Sequence, residues 1–467
     1  KGGLTNPLFC VRVNSSSLCW EVYAFMDVTI IGTGYVGLVT GVCLASLGNK
    51  VVCFDIDRDK ISKLKEGRVP FFEPGLQDLV KEGMAKGNLR FTVELSDALQ
   101  DASFVFLCVG TPPTEIGSAD LSFIEEAVRQ IGLTLDHDIY LVTKSTVPVG
   151  TNRRLLSLVS EALEEVGRDP RQIHVTMLSN PEFLREGSAV DDFMKPDRIL
   201  VGADERWGAD ILLRMYAPFE CPKVIMRLES AELAKYTANA FLAAKISFIN
   251  EIAEIAEKTG ADIREVAEAI GLDPRIGSKF LKAGIGYGGS CFPKDTRALY
   301  QIAGSAGLDF HLLSAVIEVN NRQRDRFVAR IRETLGDLTG KKIGIWGLAF
   351  KANTDDVRES SAIDIVRRLF AEGADITAYD PQGMESARKM LGDTIQYASD
   401  PLSAAAGADA LCVLTEWPLF RSVNGVKLAE VMRGTHVFDG RNVLADLRME
   451  TYGLTYHGIG LCKNLPL

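Results

Sequence analysis

From Val28 onward, short apolar runs rich in Val, Ile and Phe alternate with longer stretches whose apolar positions recur at helical spacing. The runs are Val28 to Gly32, Val51 to Asp55, Phe104 to Gly110, Tyr140 to Ser145 and His174 to Ser179. Short strands separated by helix-length segments imply βαβ units, because parallel neighbours need a crossover connection. The pattern changes after Pro222. No Gly or Pro occurs between Pro222 and Gly260, and Ile249, Ile252, Ala253 and Ala256 fall on one helical face, so one long helix is predicted there. Helical pattern continues to about residue 335, interrupted by a Gly-rich loop at residues 284–289. Strand rhythm then resumes with Ile343 to Gly347, Ile376 to Asp380, Ala410 to Thr415 and His436 to Asp439.

The last third of the chain echoes the first. Val51 to Asp55 and Ile376 to Asp380 both end on Asp, and Phe104 to Val109 and Leu411 to Leu414 both carry Cys near the end of an apolar run. The expected architecture is α/β: two Rossmann-like doubly wound domains joined by a helical central domain, with the long helix as connector. The expected boundaries are residues 26–215, 216–335 and 336–467. Residues 1–25 have no clear period and read either as an upstream or artificial extension or as a native flexible arm.

Composition and charge narrow the class. The 467 residues exceed the roughly 250–300 at which a single core stops growing. With 46% hydrophobic and 24% charged residues, and 42 glycines scattered among turns, disorder, collagen and coiled coil are excluded. A formal charge of -10 argues against a nucleic-acid binder, so an anionic ligand must be met by local basic groups. The uncharged stretch Val28 to Asn49 is long enough to span a membrane, but its five glycines and strand–turn–helix layout read as a soluble segment. No basic flank precedes it, and a cytoplasmic enzyme without membrane contact is expected. Nine cysteines without C-x-x-C fit buried thiols in a reducing compartment better than disulfides or a metal site.

Two segments carry the densest chemistry. Gly32-Thr33-Gly34-Tyr35-Val36-Gly37 follows a strand and opens a helix, a spacing that permits a tight turn and close approach of a pyrophosphate. The next apolar run ends at Asp55, 23 residues after Gly32, where a carboxylate bonds the ribose hydroxyls and repels a 2′-phosphate. A site for NAD in preference to NADP follows; a mere strand–helix turn leaves Asp55 unexplained. The second segment is Gly284-Ile285-Gly286-Tyr287-Gly288-Gly289-Ser290-Cys291-Phe292-Pro293-Lys294-Asp295. Pro293 suits the first turn of a helix, so Cys291 stands just ahead of a helix N-terminus, where the dipole and Lys294 favour the thiolate. The glycines would let a ligand approach the backbone. Cys53, Cys108 and Cys412 lie among branched apolar residues and read as structural.

Three further positions join these. Ser179-Asn180-Pro181-Glu182-Phe183-Leu184-Arg185-Glu186-Gly187 closes a strand at the sheet edge where such folds bind ligands, and it places Glu182 to handle a proton. Lys144-Ser145-Thr146-Val147-Pro148 ends a neighbouring strand and brings the Thr146 hydroxyl toward the same cleft. Lys235 and Asn239 share a helix face, although alone Lys235 reads rather as a surface lysine paired with Glu232. A dinucleotide and a thiolate together point to a specific chemistry. An aldehyde lacks the oxyanion that expels a hydride; addition of Cys291 supplies it, and the resulting thioester can be hydrolysed. An ordinary alcohol dehydrogenase needs no such cysteine, so oxidation as far as a carboxylate is expected.

These motifs, with Glu73-Pro74-Gly75-Leu76, Asn239-Ala240-Phe241-Leu242-Ala243 and Arg275-Ile276-Gly277, resemble in content and order those of the UDP-glucose/GDP-mannose dehydrogenases, over residues 26 to about 445. The resemblance implies Cys291 as thioester nucleophile, with Lys235, Asn239 and Thr146 stabilising oxyanions or positioning water. It implies Asp295, aided by a water, as proton acceptor in the first oxidation and Glu182 as activator of the hydrolytic water. It implies NAD contacts from Gly32, Gly34, Tyr35, Val36, Gly37, Asp55, Lys60, Thr111, Thr146, Lys294 and Arg358, with Glu186 near the cofactor or at hinge contacts. For the nucleotide sugar it implies Glu182, Phe183, Leu184, Lys235, Asn239, Phe280, Lys282, Tyr287, Gly288, Phe350, Lys351 and Arg441. Arg275 would reach across from a neighbouring subunit, hence a homodimer or a dimer-based oligomer formed through the central helices. The third domain has Gly347-Leu348-Ala349-Phe350-Lys351 in place of a second fingerprint, which fits UDP better than a second NAD. UDP-glucose, oxidised to UDP-glucuronate, is the implied substrate, because Phe292-Pro293-Lys294-Asp295 after the cysteine looks most like that branch; GDP-mannose is the alternative.

Overall fold

The computed structural model describes residues 26–461; the segment 1–25 lies outside the described residues. Strands and helices alternate into two twisted sheets joined by helices, as the apolar rhythm predicts. The first sheet runs, in spatial order, Leu89–Thr92, Lys50–Phe54, Asp27–Ile31, Phe104–Leu107, Ile139–Thr143, Val175–Ser179, Ile199–Ala203 and Lys223–Met226. All pairs are parallel except Val175–Ser179 with Ile199–Ala203. Because Lys223–Met226 completes this sheet, it extends past residue 215. That edge strand carries exposed Lys223 and Val224, so it lacks the apolar run that marks interior strands.

The second sheet runs Gln396–Tyr397, Asp375–Tyr379, Lys342–Trp346, Ala410–Val413, His436–Asp439 and Thr455–His457, all parallel. In each sheet the first strand of the lobe lies between its second and fourth, so the order reverses there and opens a crevice at the carboxyl ends of the strands. The two crevices are the ligand positions the topology provides.

Between the sheets stands the helix Leu228–Thr259, 32 residues long and ended by Gly260 at φ 84. At 1.5 Å per residue it spans roughly 48 Å. Its start packs on the first sheet, Ala231 against Gly202. Its end joins the core of the second lobe, where Ile249, Ala253 and Ala256 lie with Ile345, Cys412 and Phe438. The helix Phe292–Ser305 packs against its middle, burying Tyr236 and Ala243 with Leu299.

The Gly-rich loop at 284–289 has a reason beyond the one its sequence suggested. Gly284, Gly288 and Gly289 admit the second lobe, while Gly286, Gly288 and Gly289 also line the cavity between the lobes. A side chain at Gly284 would meet Gly440 O at 2.8 Å, one at Gly288 would overlap Glu359 O, and one at Gly289 (φ +85) would strike the Phe350 ring at 2.7 Å. Backbone and ring of the C-terminal lobe thus seat directly on the loop that leads into Cys291.

Candidate active site

The fingerprint turn is shaped for a pyrophosphate. Gly32 ends its strand at φ +95, and a Cβ on Gly37 would overlap Gly32 O, so both positions require glycine. Gly34 has open space where its side chain would be, leaving the backbone approachable just ahead of the helix Tyr35–Ser46. At the end of the next strand, Asp55 Oδ2 accepts from the Thr33 N–H at 2.8 Å, the Thr33 hydroxyl at 2.7 Å and Lys60 Nζ at 3.0 Å. Burial raises this carboxyl, but those donors and the Asp57 N–H outweigh it and hold the group below its ordinary value. The ionised Asp55 at the crevice mouth, the free space at Gly34 and the helix N-terminus fit a dinucleotide.

A cavity of about 710 Å³ lies between the lobes beside this crevice. The first lobe lines it with Lys144, Glu182, Phe183, Leu184 and Glu186, the middle with Lys235, Asn239, Phe280, Tyr287, Gly288 and Cys291, and the second lobe with Phe350, Lys351 and Arg441. Sequence-distant residues meet here because the strand Val175–Ser179 and the helix Phe292–Ser305, whose N-cap is Cys291, both have an end beside the long helix at Lys235 and Asn239. Arg441 ties the lobes together, donating to Gly286 O at 3.1 Å and Leu414 O at 3.1 Å. Phe280 holds a positive φ of 66 and its ring meets Phe292, which also takes the Tyr287 ring edge-on at 6.0 Å.

The charges in this cavity are buried and paired. Lys235 Nζ lies 2.8 Å from Glu182 Oε1, each side chain about 5% exposed. Burial would lower the Lys235 pKa, but Glu182, Cys291 and Asp295 outweigh it and raise it, so the ammonium is retained. Glu232 is not its partner: that carboxylate accepts from the N–H groups of Gly150 at 2.6 Å and Asn152 at 2.8 Å instead. Asp295 is buried and accepts from Asn239 Nδ2 at 2.6 Å and Lys294 Nζ at 2.7 Å. Glu186 faces Ser290, Thr354 and Arg358, the last at 3.6 Å.

Three expectations require correction. The Cys291 thiol is not a preformed thiolate: burial pushes it up to about 11, Lys235 opposes that, and Glu182, Asp295 and Glu186 reinforce it. Lys294 does not relieve this, because its ammonium is bound to Asp295. Thr146 does not line the cavity; its carbonyl accepts the Thr111 hydroxyl at 2.8 Å. Lys282 is exposed and also stands apart from the cavity lining. Arg275 is exposed, paired with Asp273 at 2.6 Å and outside the cavity lining, which agrees with a residue expected to serve a neighbouring subunit.

Two residues gain a place that the sequence did not reveal. Lys144, fully buried at the cavity floor, donates to Asn180 Oδ1 at 3.0 Å, and burial lowers its pKa to about 8. Glu73 accepts from the N–H groups of Gly187 at 2.6 Å and Ala189 at 2.7 Å and also bonds the Tyr35 hydroxyl, tying the fingerprint turn to the Glu182 segment. Its motif was legible, but its partners are 38 to 116 residues away.

The same three parts match three family models: the NAD binding domain of the UDP-glucose/GDP-mannose dehydrogenases over residues 26–220, their central domain over 229–322 and their UDP binding domain over 344–446. The chain belongs to that family. It is an NAD-dependent nucleotide-sugar dehydrogenase, with NAD assigned to the first crevice. It is 46% identical over 433 residues to a UDP-glucose 6-dehydrogenase of Bacillus subtilis, covering 93% of each chain. It is likewise 46% identical over 442 residues to the UDP-glucose 6-dehydrogenase of Rhizobium meliloti, covering 93% of this chain and 99% of that one. Its fold superposes with a TM-score of 0.87 on a UDP-glucose dehydrogenase from the archaeon Pyrobaculum islandicum, at 39% identity over 95% of this chain and 100% of that one.

Proposed function

We propose that the chain oxidises the C6 alcohol of UDP-glucose twice, giving UDP-glucuronate through a thioester on Cys291. The observation that carries the reading is the cavity in which a cysteine, a buried Lys235–Glu182 pair and Asn239 face one another, with Asp295 behind Asn239 at 2.6 Å. The names of the relatives supply the sugar. Each turnover converts one UDP-glucose, two NAD+ and one water into UDP-glucuronate, two NADH and three protons. NAD, held by the Gly32–Gly37 turn and Asp55, supplies the hydride acceptor for both oxidations.

The residues divide the remaining work. Asp295 takes the proton of the C6 hydroxyl through a water in the first oxidation. Lys235 and Asn239 hold the oxyanion, first of the alkoxide and then of the thiohemiacetal formed with Cys291; a fixed ammonium in a buried site needs no reorganisation as that charge develops. Glu182 activates the water that hydrolyses the thioester. Phe280, Tyr287, Phe350, Lys351 and Arg441 enclose the nucleotide sugar, the two cations meeting its diphosphate. A homodimer fits the exposed Phe241, Phe248 and Ile255, which recur seven residues apart on the long helix, with exposed Leu272, Ile276 and Arg275 nearby in sequence. Among the described residues no helix is long and apolar enough to cross a membrane, and a cytoplasmic enzyme is proposed.

The test is the number of NADH formed per UDP-glucose consumed with limiting sugar. Two, with UDP-glucuronate as product, supports the reading; one reduces it to alcohol oxidation, and none with UDP-glucose but two with GDP-mannose moves the substrate. Cys291→Ser is expected to abolish acid release while NAD still binds, and unimpaired acid formation by it removes the thioester.

A further inference from the structure

Addition to an aldehyde needs sulfur without its proton, yet burial and the surrounding carboxylates keep that proton on Cys291. A neighbouring group has to take it as the C–S bond forms. Protonated Lys235 has no lone pair to offer, and Asp295 already accepts from Asn239 and Lys294. Ser290 is in contact with the sulfur: its Oγ lies 3.6 Å from Cys291 Sγ. The same hydroxyl donates its hydrogen to Glu186 Oε1 at 2.9 Å. A hydroxyl whose hydrogen is committed to a carboxylate keeps its lone pairs for an incoming S–H. We infer that Ser290 is a catalytic residue that passes the Cys291 thiol proton to Glu186.

The step balances. The Sγ–C bond to the C6 aldehyde forms and the S–H bond breaks; that proton joins Ser290 Oγ while the original Ser290 hydrogen moves to Glu186. The carbonyl π pair becomes the alkoxide beside Lys235, and no electron leaves until the following hydride transfer.

The second lobe sets up this path. Gly289 N–H donates to Arg358 O at 3.1 Å, and Gly288 lies against the Glu359 carbonyl, fixing the loop that presents Ser290. Around Glu186 stand Asp356, Arg358, Thr354 and Lys351 from that lobe and Ser290 and Cys291 from the loop. Around Cys291 stand Lys235, Glu182, Asp295 and Arg358. Burial and then Asp356 raise the Glu186 carboxyl, with Arg358 and Ser290 opposing. A carboxylate of raised basicity is better matched to a thiol than an ordinary one.

The relay rests on the thioester reading, so its test uses ligand-free enzyme and iodoacetamide, with peptide mapping to follow alkylation of Cys291 alone between pH 6 and pH 10. Near pH 9, where Glu186, raised by burial to about 8, is ionised, Ser290→Ala is expected to slow alkylation on the order of 100-fold, the low end for general-base catalysis. Ser290→Thr restores most of the rate. Glu186→Gln separates the relay from simple electrostatics. Removing a nearby negative charge by itself eases thiolate formation and speeds alkylation, whereas removing the proton acceptor slows it. An unchanged rate in Ser290→Ala, or an unchanged or faster rate in Glu186→Gln, overturns the relay. If those rates behave as stated while the wild type forms one NADH per sugar, the thioester reading falls and the proton path stands.

Discussion

The two lobes place an aspartate at the same point of the same topology and use it for opposite ends. Asp55 and Asp380 each follow the second strand of their sheet, opposite a turn whose leading glycine has φ +95 in one lobe and +97 in the other. Asp55 sits at an open crevice, and its outermost donor is Lys60, which reaches solvent. Asp380 is closed over. It accepts from the N–H groups of Leu348, Ala349, Gln382 and Gly383, and the buried indole of Trp417 donates to it at 3.1 Å. The turns diverge in the same sense. The first runs straight into a helix at Tyr35, whereas in the second lobe the helix waits until Ser361, and the intervening chain carries Phe350, Lys351 and Arg358 toward the cavity. One lobe presents backbone and a helix N-terminus to its crevice, the other side chains on a loop.

The sharpest way to break this comparison is to remove both carboxylates in turn. Asp380→Ala strands four buried donors and the part-buried Gln382 N–H and is expected to cost at least about 3 kcal/mol in urea denaturation. Asp55→Ala is expected to cost far less stability but to erase the preference for NAD over NADP in kcat/KM. Equal losses of stability would mean that the two aspartates do the same work.

Binding should separate by lobe as well. Gly34→Ala fills the open space at the fingerprint turn and is expected to weaken NAD on the order of 10-fold by calorimetry, leaving UDP-glucose binding and Tm unchanged. Lys351→Ala reverses the pattern, weakening UDP-glucose about 10-fold through loss of a charge-assisted contact while NAD binding stays. The smallest effect concerns acid. Since Asp55 is held below its ordinary value, it adds stability that is full above the unfolded carboxyl value of about 3.9 and fades as pH falls through the lower folded value. Asp55→Asn should therefore flatten the acid limb of a Tm-against-pH curve.

Local signals made much of this legible. Apolar runs, the glycine spacing and the absence of breakers in the long helix identify both sheets and the connector, because each depends on residues adjacent in sequence. Leu89–Thr92, Lys223–Met226, Gln396–Tyr397 and Thr455–His457 escaped, being short edge or near-edge strands without a long apolar run, and the buried apolar run Ile199–Ala203 escaped as well. Burial escaped too. The helix N-terminus at Cys291 was readable, whereas three carboxylates converging on the sulfur from Glu182, Glu186 and Asp295 were not. Lys282 carried a basic residue into an apt segment, but its side chain faces water. The glycines at 284–289 signalled close approach, but not that the second lobe is one of the groups approaching, since sequence records that room is needed and not who occupies it.

The long helix has a mechanical consequence. Lys235 and Asn239 stand one turn apart on a rod anchored in both lobes, and the helix bearing Cys291 and Asp295 lies along its middle. The mutual placement of Cys291, Lys235, Asn239 and Asp295, the groups of the proposed reaction, thus rests mainly on the axle. A wing that swings to admit or release its ligand changes the reach of Asp55 or Arg441 and leaves the distances among the reacting groups on the axle as they were.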